Sequence, residues 1–229
     1  MGAPPEVIPL FPLSEVLLPA MPLPLRIFEP RYHQLLADVF GDHVAPVEGA
    51  GFGVLALRSG VEAGTAEEVP DIETVGTFAE ILEVEAEPGG TQRVLAVGSR
   101  RFRVCRLLPH LRPYLSAEVI WLDEQEGDID TTTLEIVRHL SERISQAITA
   151  LTGQVSELTP LRDPTMLSYQ VAANVPLATA DRQALLAAPT TAERLHLAVR
   201  LLGREIRLLQ STRSIAMAPS VLRLAAEPN

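Results

Sequence analysis

The chain has 229 residues, 47% of them hydrophobic, and a formal net charge of −10, a globular composition whose acidic surface argues against general affinity for nucleic acid or anionic membrane. All 19 basic residues are arginine, which removes every chemistry that needs an amine: Schiff bases, Ser–Lys dyads and the lysine of a phosphate loop. Cys105 is the single cysteine, so neither an intrachain disulfide nor a CxxC metal site can form, and no apolar run approaches the ~20 residues of a membrane span.

The opening MGAPPEVIPLFPL has no basic region and is broken by prolines, so it does not read as a signal peptide, and a cytoplasmic protein is expected. From residue 22 runs PLPLRIFEPRYHQLL. Leu25, Ile27 and Phe28 read as a strand, Pro30 suits the first turn of a helix, and Leu35, Leu36, Val39 and Phe40 recur at helical spacing. Glu29 and Arg31 are thereby held at a strand-to-helix corner. GFGVLAL (51–57), TVGTFAEILEVEAE (74–87), RVLAVGS (93–99), RFRVCRLLP (102–109) and PYLSAEVIWL (113–122) read as further strands, with Pro88-Gly89-Gly90 as a hairpin turn. An antiparallel sheet or small barrel is expected. In the last strand Leu115, Ala117, Val119 and Trp121 face one way, Ser116 and Glu118 the other.

The acidic run DEQEGDID (123–130) reads as a hinge, dividing a β-rich part (1–123) from a helical part (124–229). Leu134, Val137, Leu140, Ile144, Ile148 and Leu151 mark a long amphipathic helix ending at Gly153. Asp163-Pro164 is an N-cap followed by proline at the first helical position. Thr179 caps a short helix, and Thr190-Thr191-Ala192-Glu193 is a capping box before a last helix through Leu209. Strands first and helices after indicate an α+β fold. On the last helix Leu197, Leu201 and Leu208 form a second apolar stripe, which either serves self-association or is buried in the bundle.

Catalytic patterns are weak. GAGFG (49–53) resembles a phosphate loop but precedes a strand, whereas such loops follow one, so it reads as a flexible loop. The histidines at 33, 43, 110, 139 and 196 are scattered without ligand spacing, and no metal or cofactor is expected. No GxSxG elbow is present, Ser99 reads as a turn between two strands, and Cys105 reads as a packed, inert thiol. Arg100, Arg101, Arg103 and Arg106 are the one basic cluster; strand alternation sets Arg101 and Arg103 against Arg100 and Arg106, so salt bridges with the many carboxylates, or plain solvation, are expected there.

PLFPL (9–13), LPLRIFEPRY (23–32), VGTFAEI (75–81), VLAVGSRRFRV (94–104), PYLSAEV (113–119) and LSYQVAANVPLATADRQALLAAPTTAERL (167–195) together resemble the N-terminal domain of Lon proteases. IFEPRY is the most specific block, and Ala20 after Pro19 departs from the family's usual Pro-Gly. The resemblance implies a PUA-like β-barrel subdomain followed by a helical bundle, and a role in substrate recognition and assembly. The lysine-dependent ATPase and protease chemistry of the full family is excluded by residue type. A stand-alone, non-enzymatic module is therefore expected, binding unfolded or partner proteins and peptides through apolar contacts, with Phe28, Glu29, Arg31, Tyr32 and Trp121 as candidate binding residues. The alternative is RNA binding through the Arg100–Arg106 region, since other PUA-like barrels bind RNA.

Overall fold

The computed structural model describes residues 4–41, 49–58, 70–152 and 160–212. The chain forms two compact units, Met1–Asp123 and Glu124–Asn229. His43 and Gly153 lie outside the described residues.

Unit one carries strands β1 (Glu6–Leu13), β2 (Pro22–Ile27), β3 (Gly51–Ala56), β4 (Val75–Ala86), β5 (Gln92–Leu108) and β6 (Ser116–Trp121), with helix α1 (Pro30–Phe40) after β2. The order is β2-β5-β4-β3-β1-β6, and β5 also pairs with β6, so the hydrogen-bonded ladder returns on itself. The sheet is mixed, not wholly antiparallel as expected: β1 pairs with β3 in parallel, Leu10 opposite Gly53. The long connection through β2 and α1 supplies the crossover that a parallel pair requires. β1 itself escapes a propensity reading because of Pro9 and Pro12. Its first half pairs with β6 and its second with β3, so each half has an unpaired side where a missing N–H is tolerated.

β5 is one strand of 17 residues, not two. Gly98 and Ser99 do not break it; they sit where a second segment crosses over it. Ala20 N donates to Gly98 O (2.7 Å), Gly98 N to Met21 O (2.9 Å), and the Thr77 hydroxyl to Leu17 O (2.7 Å). Between Thr77 and Ala79 the register slips, placing Ser99 and Arg100 together opposite Phe78. Gly51 likewise lies inside β3 and not in a loop, its Cα close against Ala79 O. Ser116, expected to face outward, is buried.

At the crossover Ala20 has φ +62°, the left-handed region where the family pattern places glycine. Ala20→Gly is expected to stabilise unit one by about 0.5–1 kcal/mol, because relief of the Cβ strain exceeds the added chain entropy. The measurement is the urea midpoint at unchanged m-value; a lower midpoint would reject it.

Two side-chain clusters fill unit one. The first joins Phe11, Leu23, Ile27, Leu35, Leu36, Phe52, Ile81 and Val94; the second joins Ile8, Leu10, Leu55, Phe102, Ala117 and Val119. Helix α1 is locked onto the first by polar contacts as well. Tyr114 donates to Asp38 Oδ2 (2.6 Å) and Gln34 to Asp38 Oδ1 (2.7 Å). The Tyr114 and Gln34 hydrogen bonds hold the Asp38 carboxyl below its ordinary range, while burial and the Asp38 contact push the Tyr114 phenol up.

Unit two contains α2 (Thr131–Thr152), α3 (Pro164–Asn174), α4 (Thr179–Ala187) and α5 (Thr191–Thr212). The caps follow from the side chains. Asp163 accepts from Met166 N (2.7 Å), Thr190 Oγ1 from Glu193 N (3.1 Å), and Asp130 from Thr133 N (2.7 Å). α4 begins one residue earlier than expected, its N-cap being Ala178, with Thr179 inside the first turn. α5 packs on α2, α3 and α4. Its second stripe is graded: Leu201 is buried, Leu197 half-buried and Leu208 exposed, so most of that stripe is spent inside the unit. Within unit two the start of the acidic run is pinned to α5: Gln125 O and Glu126 O accept from Thr191 N (2.8 Å) and Ala192 N (2.9 Å), two donors that the first turn of α5 leaves open.

Candidate functional site

The candidate residues at the strand-to-helix corner divide by role. Glu29 is the N-cap of α1, with extended backbone and no capping bond from its side chain; Pro30 follows at the first helical position. The Glu29 carboxylate instead pairs with Arg31 (2.7 Å). The Arg31 guanidinium lies 4.8 Å from the Tyr32 ring centre, and Tyr32 stacks on Phe11 at 4.1 Å. Arg31 and Tyr32 are thus used in fixing the corner to the core. Phe28 is not: it is 70% exposed, the most exposed of the large hydrophobic residues described.

Exposure alternates along Pro22–Phe28, with Leu23 and Ile27 buried and Pro22, Pro24, Arg26 and Phe28 turned out. This outward face continues onto β5 and β4. Pro24 stands opposite Leu95 and Pro22 opposite Val97, and on the other side of β5 Glu80 is opposite Val97 and Glu83 opposite Leu95. Between Ile81 and Glu83 the register slips by one residue, so Leu82 and Glu83 together face Leu95. The bulge throws Leu82 outward, 58% exposed. Pro22, Pro24, Leu82, Leu95 and Val97 therefore share one side of the sheet, and the exposed row Arg26, Arg93 and Glu85 stands between them and Phe28, which lies past the end of β2. Arg26 pairs with Glu87 (2.9 Å) and Arg93 with Glu85, and that contact holds the Glu85 carboxyl below its ordinary range.

β2 ends the strand order, yet its open edge is a poor template for another strand. The bond from Gly98 N to Met21 O sets the phase of the ladder, so Leu23, Leu25 and Ile27 turn their N–H groups to β5. The positions left facing the open edge are Pro22, Pro24 and Arg26, of which only Arg26 has a donor.

Trp121 belongs elsewhere, with the second side-chain cluster. Its indole N–H donates to Glu6 (2.7 Å), Phe78 meets its ring edge-on at 5.5 Å, and Arg100 lies 3.6 Å above it. The other arginines of the basic cluster go separate ways: Arg101 is 1% exposed, Arg103 is exposed, and Arg106 pairs with Glu118 (3.1 Å), so they do not form one basic face. Arg101 and Arg103 keep the alternation expected for them about the buried Phe102, with no register slip between, and differ in exposure. Cys105 is exposed, not packed, since the register slip between Val104 and Arg106 leaves it as an extra, outward residue. Of the histidines, His33 Nδ1 lies 2.8 Å from Gln92 Oε1 and His196 is 3.6 Å from Asp130. Among the described residues no group of three or more His, Cys, Asp or Glu could hold a metal ion, and no helix is long and apolar enough to cross a membrane.

The sequence reading missed Leu82, Leu95, Val97, Pro22 and Pro24 as members of a surface. One signal was present. In AEILEVEA the apolar period of two is broken by adjacent Ile81 and Leu82 and resumes at Val84, which is the phase slip of a bulge.

Comparison with known proteins agrees with this architecture. Residues 7–204 match the family model of the ATP-dependent protease La (LON) substrate-binding domain. Lon protease of Escherichia coli K12 is 30% identical over 219 residues, covering 91% of this chain and 26% of the relative. Lon protease of Parabacteroides distasonis is 27% identical, covering 93% of this chain and 25% of the relative. The chain thus spans about a quarter of the length of these relatives. A crystal structure of a Lon N-terminal domain protein from Xanthomonas campestris superposes with TM-score 0.63 at 24% identity, covering 85% of this chain and 98% of that one. The N-terminal domain of the Mycobacterium avium complex Lon protease gives TM-score 0.58 at 16% identity, covering 86% and 98%. With a six-stranded mixed sheet, the Glu29-Pro30-Arg31-Tyr32 corner and four following helices in place, the chain belongs to the Lon substrate-binding domain family.

Proposed function

We propose that this chain is a non-enzymatic recognition module of the cytoplasm, a PUA-like barrel followed by a helical bundle, that binds exposed apolar segments of other proteins. The supporting observation is the outward face of β2, β5 and β4, where Leu82 stands 58% exposed beside Leu95 with Val97, Pro22 and Pro24 next to it, and Phe28, 70% exposed, stands beyond the Arg26–Arg93 row. Residues whose apolar side chains neither fill the core nor carry charge are affordable on a monomer singly, and a contiguous set marks a contact surface. Phe28 is the anchor of this reading, with Glu29, Arg31 and Tyr32 as the rigid corner that presents it. Trp121, held between Glu6 and Arg100, is a separate and secondary contact.

The test is titration of a fluorescent, permanently unfolded polypeptide with the wild-type chain and with Phe28→Ser/Leu82→Ser. Losing the burial of two such side chains is expected to weaken binding at least roughly tenfold. Both positions are exposed, so unfolding midpoints should stay unchanged. Equal affinity of the double variant, or no binding by the wild type, would reject the reading.

A further inference from the structure

We infer that the occupant of the β2–β5–β4 face is a short apolar segment flanked by lysine or arginine, and not a second folded domain. The inference rests on the reading that this face binds at all, and it adds the size and the charge of what is bound.

Size comes from the lattice of the sheet. Pro22, Pro24, Leu82, Leu95 and Val97 occupy two residue steps, ~7 Å, on three strands lying within ~10 Å, with Phe28 beyond Arg26, so with side-chain margins the patch is on the order of 200 Å². A stable interface between folded proteins takes about 800 Å² from each partner. The patch is too small for a second copy of the chain and suits a handful of residues. Those residues must lie across the face, because Pro22 and Pro24 deny the open edge of β2 the donors that strand addition uses.

Charge decides what flanks the apolar residues. On and beside this face stand Glu80, Glu83, Glu85 and Glu87 against Arg26 and Arg93. The two guanidinium groups are already engaged with Glu87 and Glu85. Four carboxylates against two guanidinium groups leave the border of the apolar residues net negative, with Glu80 beside Val97 and Glu83 beside Leu95, on a chain whose net charge is −10. A segment bringing cations to that border gains attraction, and an acidic one is repelled before contact.

The experiment uses the full chain and three labelled peptides sharing one apolar core of about six residues, flanked by lysine, serine or glutamate. The lysine-flanked peptide is expected to bind about fivefold tighter than the serine-flanked one, with the glutamate-flanked peptide weakest. At ~1 M salt the three should converge, since the screening length there is about 3 Å. Glu80→Gln/Glu83→Gln should abolish most of the preference while leaving the serine-flanked affinity unchanged. If all three peptides bind equally, or if the preference survives the double variant, the charge inference is overturned and the apolar reading stands. If none binds, the underlying reading fails instead.

Discussion

Gly98→Ala is expected to destabilise unit one by about 3 kcal/mol or more. A Cβ at Gly98 would lie 2.2 Å from Leu18 O and 3.2 Å from Thr77 Cγ2. The obstacle is backbone, so no rotamer change relieves it. The segment that would have to move is held on Gly98 by its own hydrogen bonds: Ala20 N donates to Gly98 O, Gly98 N to Met21 O, and Thr77 to Leu17 O. Lifting it also uncovers Leu17 and Leu18, both buried. The contrasting change is Gly203→Ala in α5, where the nearest atom to a new Cβ is the end of the Arg207 side chain at 3.6 Å. That substitution should stabilise unit two by about 0.5–1 kcal/mol, because it removes glycine's backbone entropy from a helix interior. Urea unfolding followed by fluorescence of Trp121, the single tryptophan, reports on unit one. A Gly98→Ala midpoint within error of wild type would show that the crossover is looser than its contacts imply.

Arg194→Ala is expected to cost unit two about 2–4 kcal/mol, the loss of three hydrogen bonds from a buried guanidinium, with the charge contribution reduced because the Glu124 side chain is 37% exposed. Arg194 is 0% exposed and every direction of its guanidinium is used. Nε donates to Leu185 O (3.2 Å), Nη1 to Ser168 Oγ (3.0 Å) and Nη2 to Glu124 Oε2 (3.2 Å), while the plane lies 4.0 Å over the Tyr169 ring. Tyr169 in turn donates to the other oxygen of Glu124. Truncation leaves the Leu185 carbonyl with only the longer bond from Ala188 N (3.4 Å), takes its donor from the Ser168 hydroxyl, and removes the cation facing Glu124. Arg194→Lys keeps the charge but not the fork, and an ammonium on a flexible stem cannot reach three acceptors in that plane. It should recover less than half of the lost stability. The helical far-UV signal follows unit two, which holds four of the five helices among the described residues. Lysine at full wild-type stability would mean that charge alone matters there.

Much of this protein was written locally. The caps at Asp163 and Thr190, proline at the start of α1 and α3, and the apolar period of α2 and α5 each act within one or two turns, so adjacent residues suffice to read them. The strand-to-helix corner was legible for the same reason, and the ordered blocks around IFEPRY were enough to point to the family. What could not be read involves partners far apart in the chain. The Arg194–Glu124 contact joins residues 70 apart and the Thr77–Leu17 bond residues 60 apart. A buried arginine looks like a surface one until its acceptors arrive. The closure of the ladder through β5 and β6, the parallel pairing of β1 and the exposure of Cys105 and Leu82 all depend on register between strands, and register is chosen by the sheet as a whole. Composition announced an acidic, lysine-free module; which apolar side chains were left over to face outward was decided only when the core had taken the rest, because burial is a property of the packed assembly and not of any one residue.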